Sequence, residues 1–377
     1  MATPGRRPGI RGGSRRSSAW GGPHAQILTG GNLTAVDPIE EVSWMLRLAL
    51  LGTWHVHAKD HAADALAHPG TEHVAVWDDD PARGAAFAAE RGLPFEPDLG
   101  ALLARADIGG VTVTAETTAH EPLIGAALDA GKHVFTEKPL ALSLAVARRL
   151  ADRAAAGRIL GVSLVRQRWG TTLAMRDLIA AGAIGAPTAA RVRVAHPGAV
   201  PTPEQPTGWL PSRFLDPAEA GGGALADLGA HPLYLLRLLL GMPERVLAVG
   251  GRVSGRPLED NGVALLAYAG GALGVAETGF VSRGPFSAVE VHGTEGNLLL
   301  SPRDGTLRLR AAGDEGWQEV TVPADGPTPF AAWVDAVGRG EADAAQVALA
   351  LDLSALVEAA ARSMAEGRAV ALAEVAG

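Results

Sequence analysis

The chain has 377 residues, a formal net charge of −8 and no cysteine. Its length favours two domains with ample core; its acidity argues against a nucleic-acid backbone as partner, and its longest apolar run falls far short of the roughly 18 residues that span a membrane. Without cysteine there are no disulfides, thiolate nucleophiles or thiolate metal sites, which agrees with a cytoplasmic protein.

Residues 1–44 scatter Arg6, Arg7, Arg11, Arg15 and Arg16 among Gly, Pro and Ser with no apolar period, the composition of a disordered extension. No apolar stretch of about 7–15 residues follows the paired arginines, against an export signal, and Met45 offers an alternative start directly before the first β-rich run. From 45 to 165, short β-rich runs at 46–51, 73–77, 110–114, 132–135 and 159–165 alternate with Ala-rich helical stretches such as 60–67, 81–90 and 121–130. That alternation predicts βαβ units on a doubly wound parallel sheet, with the ligand beyond the strands' carboxyl ends.

The first strand leads into Gly52-Thr53-Trp54-His55-Val56-His57, where a dinucleotide fold places G-x-G-x-x-G so that backbone and helix N-terminus meet a pyrophosphate. Only the first glycine is present. Trp54 and His57 hold the other two places, so the loop by itself reads equally as an ordinary βα turn with aromatic cover. Asp78 ends the second strand, where a carboxylate reaches the adenosine ribose. Asp79 and Asp80 follow, and three carboxylates repel a 2′-phosphate, favouring NAD over NADP; one of Asp79 and Asp80 also caps the helix that begins at Pro81.

Further on, Ala130-Gly131-Lys132-His133-Val134-Phe135-Thr136-Glu137-Lys138-Pro139-Leu140-Ala141 resembles the A-G-K-H-V-x-x-E-K-P-x-A signature of the Gfo/Idh/MocA oxidoreductases. Gly221-Gly222-Gly223-Ala224-Leu225-Ala226-Asp227-Leu228-Gly229-Ala230-His231 resembles that family's G-G-G-x-x-x-D-x-G-x-H. Residues 330–335 to 367–370 resemble its terminal helices. The resemblance covers 45–372 and implies a nicotinamide-dependent dehydrogenase or reductase of sugars, cyclitols or their relatives. It implies an N-terminal Rossmann domain over 45–165 and a substrate-binding and oligomerisation α+β domain over 166–377, with a homodimer or homotetramer as the assembly.

The resemblance assigns Lys138, Asp227 and His231 as catalytic groups, and the residue chemistry agrees. Pro139 restricts Lys138 to an extended conformation, and in that family the intervening bond is often cis. An ammonium beside the reacting carbinol stabilises developing negative charge. Asp227 and His231, four apart on an expected helix, share one face, so Asp227 orients the imidazole that takes the hydroxyl proton. No third ligand at a telling spacing joins them, so no metal is expected. Gly52, Thr53, Trp54, His55 and Asp78 are expected against the cofactor. Thr114, Glu116 and His120, where the family commonly has T-P-x-x-x-H, are placed on its nicotinamide-ribose side. Glu137 is expected on ribose hydroxyls.

After the fifth strand the family often has an asparagine before R-R-F, whereas this chain has Arg166-Gln167-Arg168-Trp169. Arg166 or Arg168 then faces the substrate, favouring a carboxylate or a dense display of hydroxyls. His196 precedes a Pro-rich loop over 197–217 that contains Trp209, and both are substrate-side candidates. A helix is expected at 173–181, followed by strands at 189–194, 245–253, 262–268, 273–281, 287–292, 297–301, 307–310 and 318–322. Hairpin turns fall at Gly270-Gly271 and Thr294-Glu295-Gly296. These predict an open, mostly antiparallel sheet with helices on one face. Two other functions compete with the leading one: an enzyme whose tightly held NAD recycles hydride within one site, giving hydrolysis or epimerisation, and a catalytically silent nucleotide- or sugar-binding regulator.

Overall fold

The β-rich runs of the N-terminal half pair as β1 (Leu46–Leu51), β2 (Thr71–Trp77), β3 (Gly110–Val113), β4 (His133–Thr136) and β5 (Leu160–Val162). Their order is β2-β1-β3-β4-β5 and every pairing is parallel. The structure, a computed structural model, describes residues 44–284 and 286–376; the expected disordered extension lies outside these, Trp44 excepted. Helices α1 (Ala58–Ala67), α2 (Pro81–Glu90), α3 (Leu99–Ala104), α4 (His120–Asp129) and α5 (Leu144–Ala154) connect and flank the strands. A strand covered on both faces is apolar throughout rather than alternating; accordingly Leu48, Ala49, Leu50 and Leu51 are all fully buried. Asp80 is the residue that caps α2, accepting from the N–H groups of Ala82 and Arg83 ahead of Pro81 in the first turn.

The strand order reverses at β1, so a crevice opens between the loops that follow β1 and β3. Gly52 has φ +76°, and a Cβ there would lie 2.6 Å from that of Ala115. Glycine alone lets the two loops close up. The fifth strand stops three residues earlier than expected, at Val162. Its continuation forms a 3₁₀ turn over Val165–Arg168: the Leu164 N–H turns back to the Val162 carbonyl, the Gln167 N–H to the Leu164 carbonyl, and the Arg166 N–H donates to the buried hydroxyl of Tyr234.

The second layer begins with α6 (Gly170–Ala180), β6 (Pro187–Ala195), α7 (Pro217–Ala220) and α8 (Ala230–Leu240). Strands β7 (Arg245–Gly251), β8 (Asn261–Ala267), β9 (Leu273–Gly279), β10 (Ser287–Gly293), β11 (Gly296–Leu300), β12 (Leu307–Ala311) and β13 (Gln318–Glu319) follow. Then come α9 (Pro329–Arg339), α10 (Ala344–Glu366), β14 (Val370–Ala371) and α11 (Ala373–Ala376). The nine strands run β13-β12-β11-β10-β6-β9-β8-β7-β14, antiparallel except for β6 beside β9. Helices α8 and α10 cover one face. Period-two alternation turns Val246, Ala248, Ala264 and Leu266 inward and leaves Leu247, Val249, Val263 and Leu265 exposed on the other.

The last helices tie the layers together. Trp333 of α9 stacks near Phe135 and Phe330 and donates its indole N–H to the Ile159 carbonyl at 3.1 Å, so residues far along the chain complete the first sheet's core. Trp333→Ala would cost about 3–5 kcal/mol. Helix α10 is long and apolar enough to cross a bilayer, yet its apolar residues pack against α5, α8 and β7.

Candidate active site

The carboxyl edge of the parallel sheet brings together groups from three segments. Lys138 follows β4 through a cis bond to Pro139 and is almost fully buried. Its ammonium donates to the Asp227 carboxylate and, at 3.0 Å, to the Asp227 carbonyl. His55, from the loop after β1, supplies a second partner. Its Nδ1 accepts the His57 N–H at 3.2 Å, which leaves the proton on Nε2, facing Asp227 at 3.4 Å. Burial pushes the Asp227 carboxyl up, but Lys138 and His55 outweigh it and hold the group well below the usual carboxylate range.

Beneath this pair lies a cluster centred on Glu137. His57 Nδ1 donates to its carboxylate at 3.3 Å, His61 Nε2 at 2.8 Å and the Lys138 N–H at 3.2 Å. Burial opposes ionisation of Glu137, yet His57 and His55 bring it well below its ordinary value; the Glu137 charge in turn raises His57 against its own burial. His55, His57 and Glu137 bring ligand atoms within 4.8 Å of one another.

Across the cleft stands His231, whose Nδ1 meets the Tyr234 hydroxyl at 3.1 Å. Burial first, then the Lys138 and Arg166 charges, hold its pKa well below the ordinary value, so it is neutral at pH 7. A phenol both donates and accepts, so Tyr234 supports either imidazole tautomer. The Tyr234 oxygen also accepts the Arg166 N–H at 3.0 Å. His196 completes this wall: it packs on Phe280 and Trp209 and feels the charges of Asp227 and Lys138.

The other end of the crevice is a basin of charge. Asp78 accepts from the Thr53 N–H at 2.6 Å and from the Thr53 hydroxyl, and is bridged by Arg83, which also reaches Asp79 at 2.6 Å. Arg213 donates twice to the Trp54 carbonyl, while the Trp54 indole donates to Glu219 at 2.8 Å and packs on Phe214. Between Trp54, His55, Thr117, Leu142, Phe214 and Asp227 only a cavity of about 20 Å³ is left. A larger one, about 510 Å³, lies outside the crevice between α1 and β2, lined by Lys59, Leu66, His73 and Arg91.

The profile of the oxidoreductase family with an NAD-binding Rossmann fold matches residues 46–163, and that of the GFO/IDH/MocA C-terminal domain matches 172–299. A 1,5-anhydro-D-fructose reductase of Ensifer adhaerens is 32% identical over 311 residues, 80% of this chain and 91% of that protein. The chain belongs to the Gfo/Idh/MocA oxidoreductase family. An inositol 2-dehydrogenase of Acidothermus cellulolyticus is 30% identical over 300 residues, 77% of this chain and 82% of that protein. Levoglucosan dehydrogenase, solved with NADH and levoglucosan, shares the fold at TM-score 0.72 over 87% of this chain and 99% of its own, with 22% identity.

The crevice of this Gfo/Idh/MocA chain fits a dinucleotide at its adenosine end. The Glu116 carboxylate keeps one buried oxygen without a partner, and its charge neighbours are Asp79, Arg83 and Asp78. An orphaned acceptor in such a place suits a ligand hydroxyl.

Other expectations are corrected. Asp227 precedes α8, which starts at Ala230, so it shares no helix face with His231 and hydrogen-bonds Lys138 and His55 instead. Glu137, expected on ribose hydroxyls, gives its carboxylate to His57 and His61. Thr114 is fully buried and clamps the Gly52 carbonyl, and His120, also buried, donates from Nδ1 to the Leu140 carbonyl at 3.1 Å. Arg168 pairs with Asp343 at 2.8 Å, which leaves Arg166 as the arginine beside His231. Sequence reasoning does not find Tyr234 or His61; the signal for Tyr234 is its place one helical turn after His231 on α8, and His61 lies four residues after His57, the N-cap of α1.

Proposed function

We propose that this protein moves hydride between NAD and a secondary or anomeric carbinol of a sugar, cyclitol or related polyol, in either direction. The observation that carries the reading is the Lys138 ammonium clasped by Asp227 beside His231, at the carboxyl edge of the parallel sheet. Names of relatives, an anhydrofructose reductase and an inositol dehydrogenase, support the substrate class.

Bound NAD supplies the hydride acceptor or donor at its nicotinamide ring. Lys138 donates a hydrogen bond to the carbinol or carbonyl oxygen and offsets its negative charge. His231, neutral at pH 7, takes the hydroxyl proton on Nε2 during oxidation and becomes an imidazolium whose Nδ1–H donates to Tyr234; in reduction that imidazolium returns the proton from Nε2. Glu116 offers its unpartnered oxygen at the adenosine end, which Asp78 shapes by holding Thr53 and Arg83. Asp78, Asp79, Glu116 and Glu219 outnumber Arg83 and Arg213 there, which supports NAD over NADP.

Fluorescence titration with NADH and NADPH, then turnover on 1,5-anhydro-D-fructose, myo-inositol and levoglucosan, tests the reading. Saturable NADH binding with hydride transfer to or from at least one polyol class is expected; no binding of either nucleotide refutes it. The hydrogen bonds from Trp54 to Glu219 and from Arg213 to the Trp54 carbonyl, which tie the loop after β1 across the crevice, support a second reading, retention of the cofactor through turnover. Nucleotide released only on denaturing the purified protein would support it. The exposed apolar rows Leu247 opposite Leu265 and Val249 opposite Val263 support a homodimer or homotetramer built on that sheet face.

A further inference from the structure

Arg166 is 4% exposed and has no carboxylate partner among the described residues. Its guanidinium lies 4.5 Å from the Trp169 ring centroid and 5.3 Å from that of Phe286, and Nη1 donates to the Ser287 hydroxyl at 3.0 Å. These contacts hold the plane of the group and use one of its five N–H donors. Nε and Nη2 make no hydrogen bond among the described residues, and neither is among the atoms sealed from solvent.

The neighbouring charges are spoken for: Lys138 by Asp227, His57 by Glu137, Arg168 by Asp343. A buried cation without a counter-charge is costly. The missing anion belongs next to His231, because the Arg166 N–H and His231 Nδ1 both hydrogen-bond the Tyr234 hydroxyl. A neutral hydroxyl could accept a hydrogen bond there but would leave the charge uncompensated. A carboxylate satisfies both the charge and the two-pronged geometry of a guanidinium.

We propose that Arg166 anchors a carboxylate of the substrate, so that the site takes polyhydroxy acids, such as aldonates or uronates, in preference to neutral polyols. This rests on the oxidoreductase reading above and narrows its substrate class.

The test uses the full chain and matched pairs: D-glucuronate against D-glucose, D-gluconate against D-sorbitol, and L-tartrate against L-threitol. Each is titrated by calorimetry onto the protein alone and onto its NADH complex. At least one acid should bind about 10–100-fold more tightly than its neutral partner. That preference should vanish in Arg166→Met and persist in part in Arg166→Lys, with NADH affinity unchanged. Equal binding within every pair overturns the proposal, as does a preference that survives Arg166→Met. If that variant fails to fold, the wild-type pairs alone decide. Failure to bind NADH counts against the cofactor reading separately, since acid preference is also measured without nucleotide.

Discussion

Replacing Lys138 by methionine keeps most of the side chain's volume and removes the counter-charge of Asp227. Losing one partner of a buried ion pair costs about 3–5 kcal/mol. The Asp227 side chain retains 22% exposure and a second donor in His55, which places the loss at the low end, about 3 kcal/mol. An unfolding entropy of about 2.1 cal/mol/K per residue over 377 residues is about 0.8 kcal/mol/K, so the midpoint should fall by about 4 °C. Adding Asp227→Asn removes the stranded charge, and the double variant should recover most of that loss while turnover stays abolished in both. Calorimetry at neutral pH, with NADH turnover alongside, measures the two effects. A single variant as stable as the wild type, or a double variant no more stable than the single, would refute the view that the pair is buried and mutually dependent.

Acid should destabilise the fold through His120, which burial holds at about 4 against 6.5 in the unfolded chain. As pH falls from 6.5 to about 4 the unfolded chain takes up a proton that the folded one refuses, so stability present above 6.5 is lost across that window. The loss amounts to about 3 kcal/mol; chemical denaturation at stepped pH should show His120→Gln with a flatter slope, and an unchanged slope would exclude His120 as the cause. Tyr234→Phe leaves the Arg166 N–H and His231 Nδ1 unpartnered; about 1–3 kcal/mol of stability and roughly tenfold in kcat should go, with an altered pH profile of kcat. A wild-type pH profile in that variant would separate Tyr234 from the chemistry. Trp54→Gly enlarges a cavity now far below the about 300–1,000 Å³ of ordinary ligand pockets, and stopped-flow NADH binding should quicken. An unchanged association rate would show that Trp54 does not limit entry.

The alternation of apolar runs with helical stretches determined the parallel layer, because continuous burial of strands such as Leu48 to Leu51 leaves a mark that local sequence cannot hide. The signature around Glu137-Lys138-Pro139 likewise marked the site's lysine. Tertiary structure alone decided who partners whom. Asp227 and His231 stand four apart in sequence, yet the turn before α8 sends the aspartate to Lys138 and His55 and leaves the histidine to Tyr234. Arg166 and Arg168 are alike in sequence; only packing pairs one with Asp343 and leaves the other beside His231 without a counter-charge. Such pairings depend on distances across separate elements, and a residue's spacing along one chain segment carries no record of them.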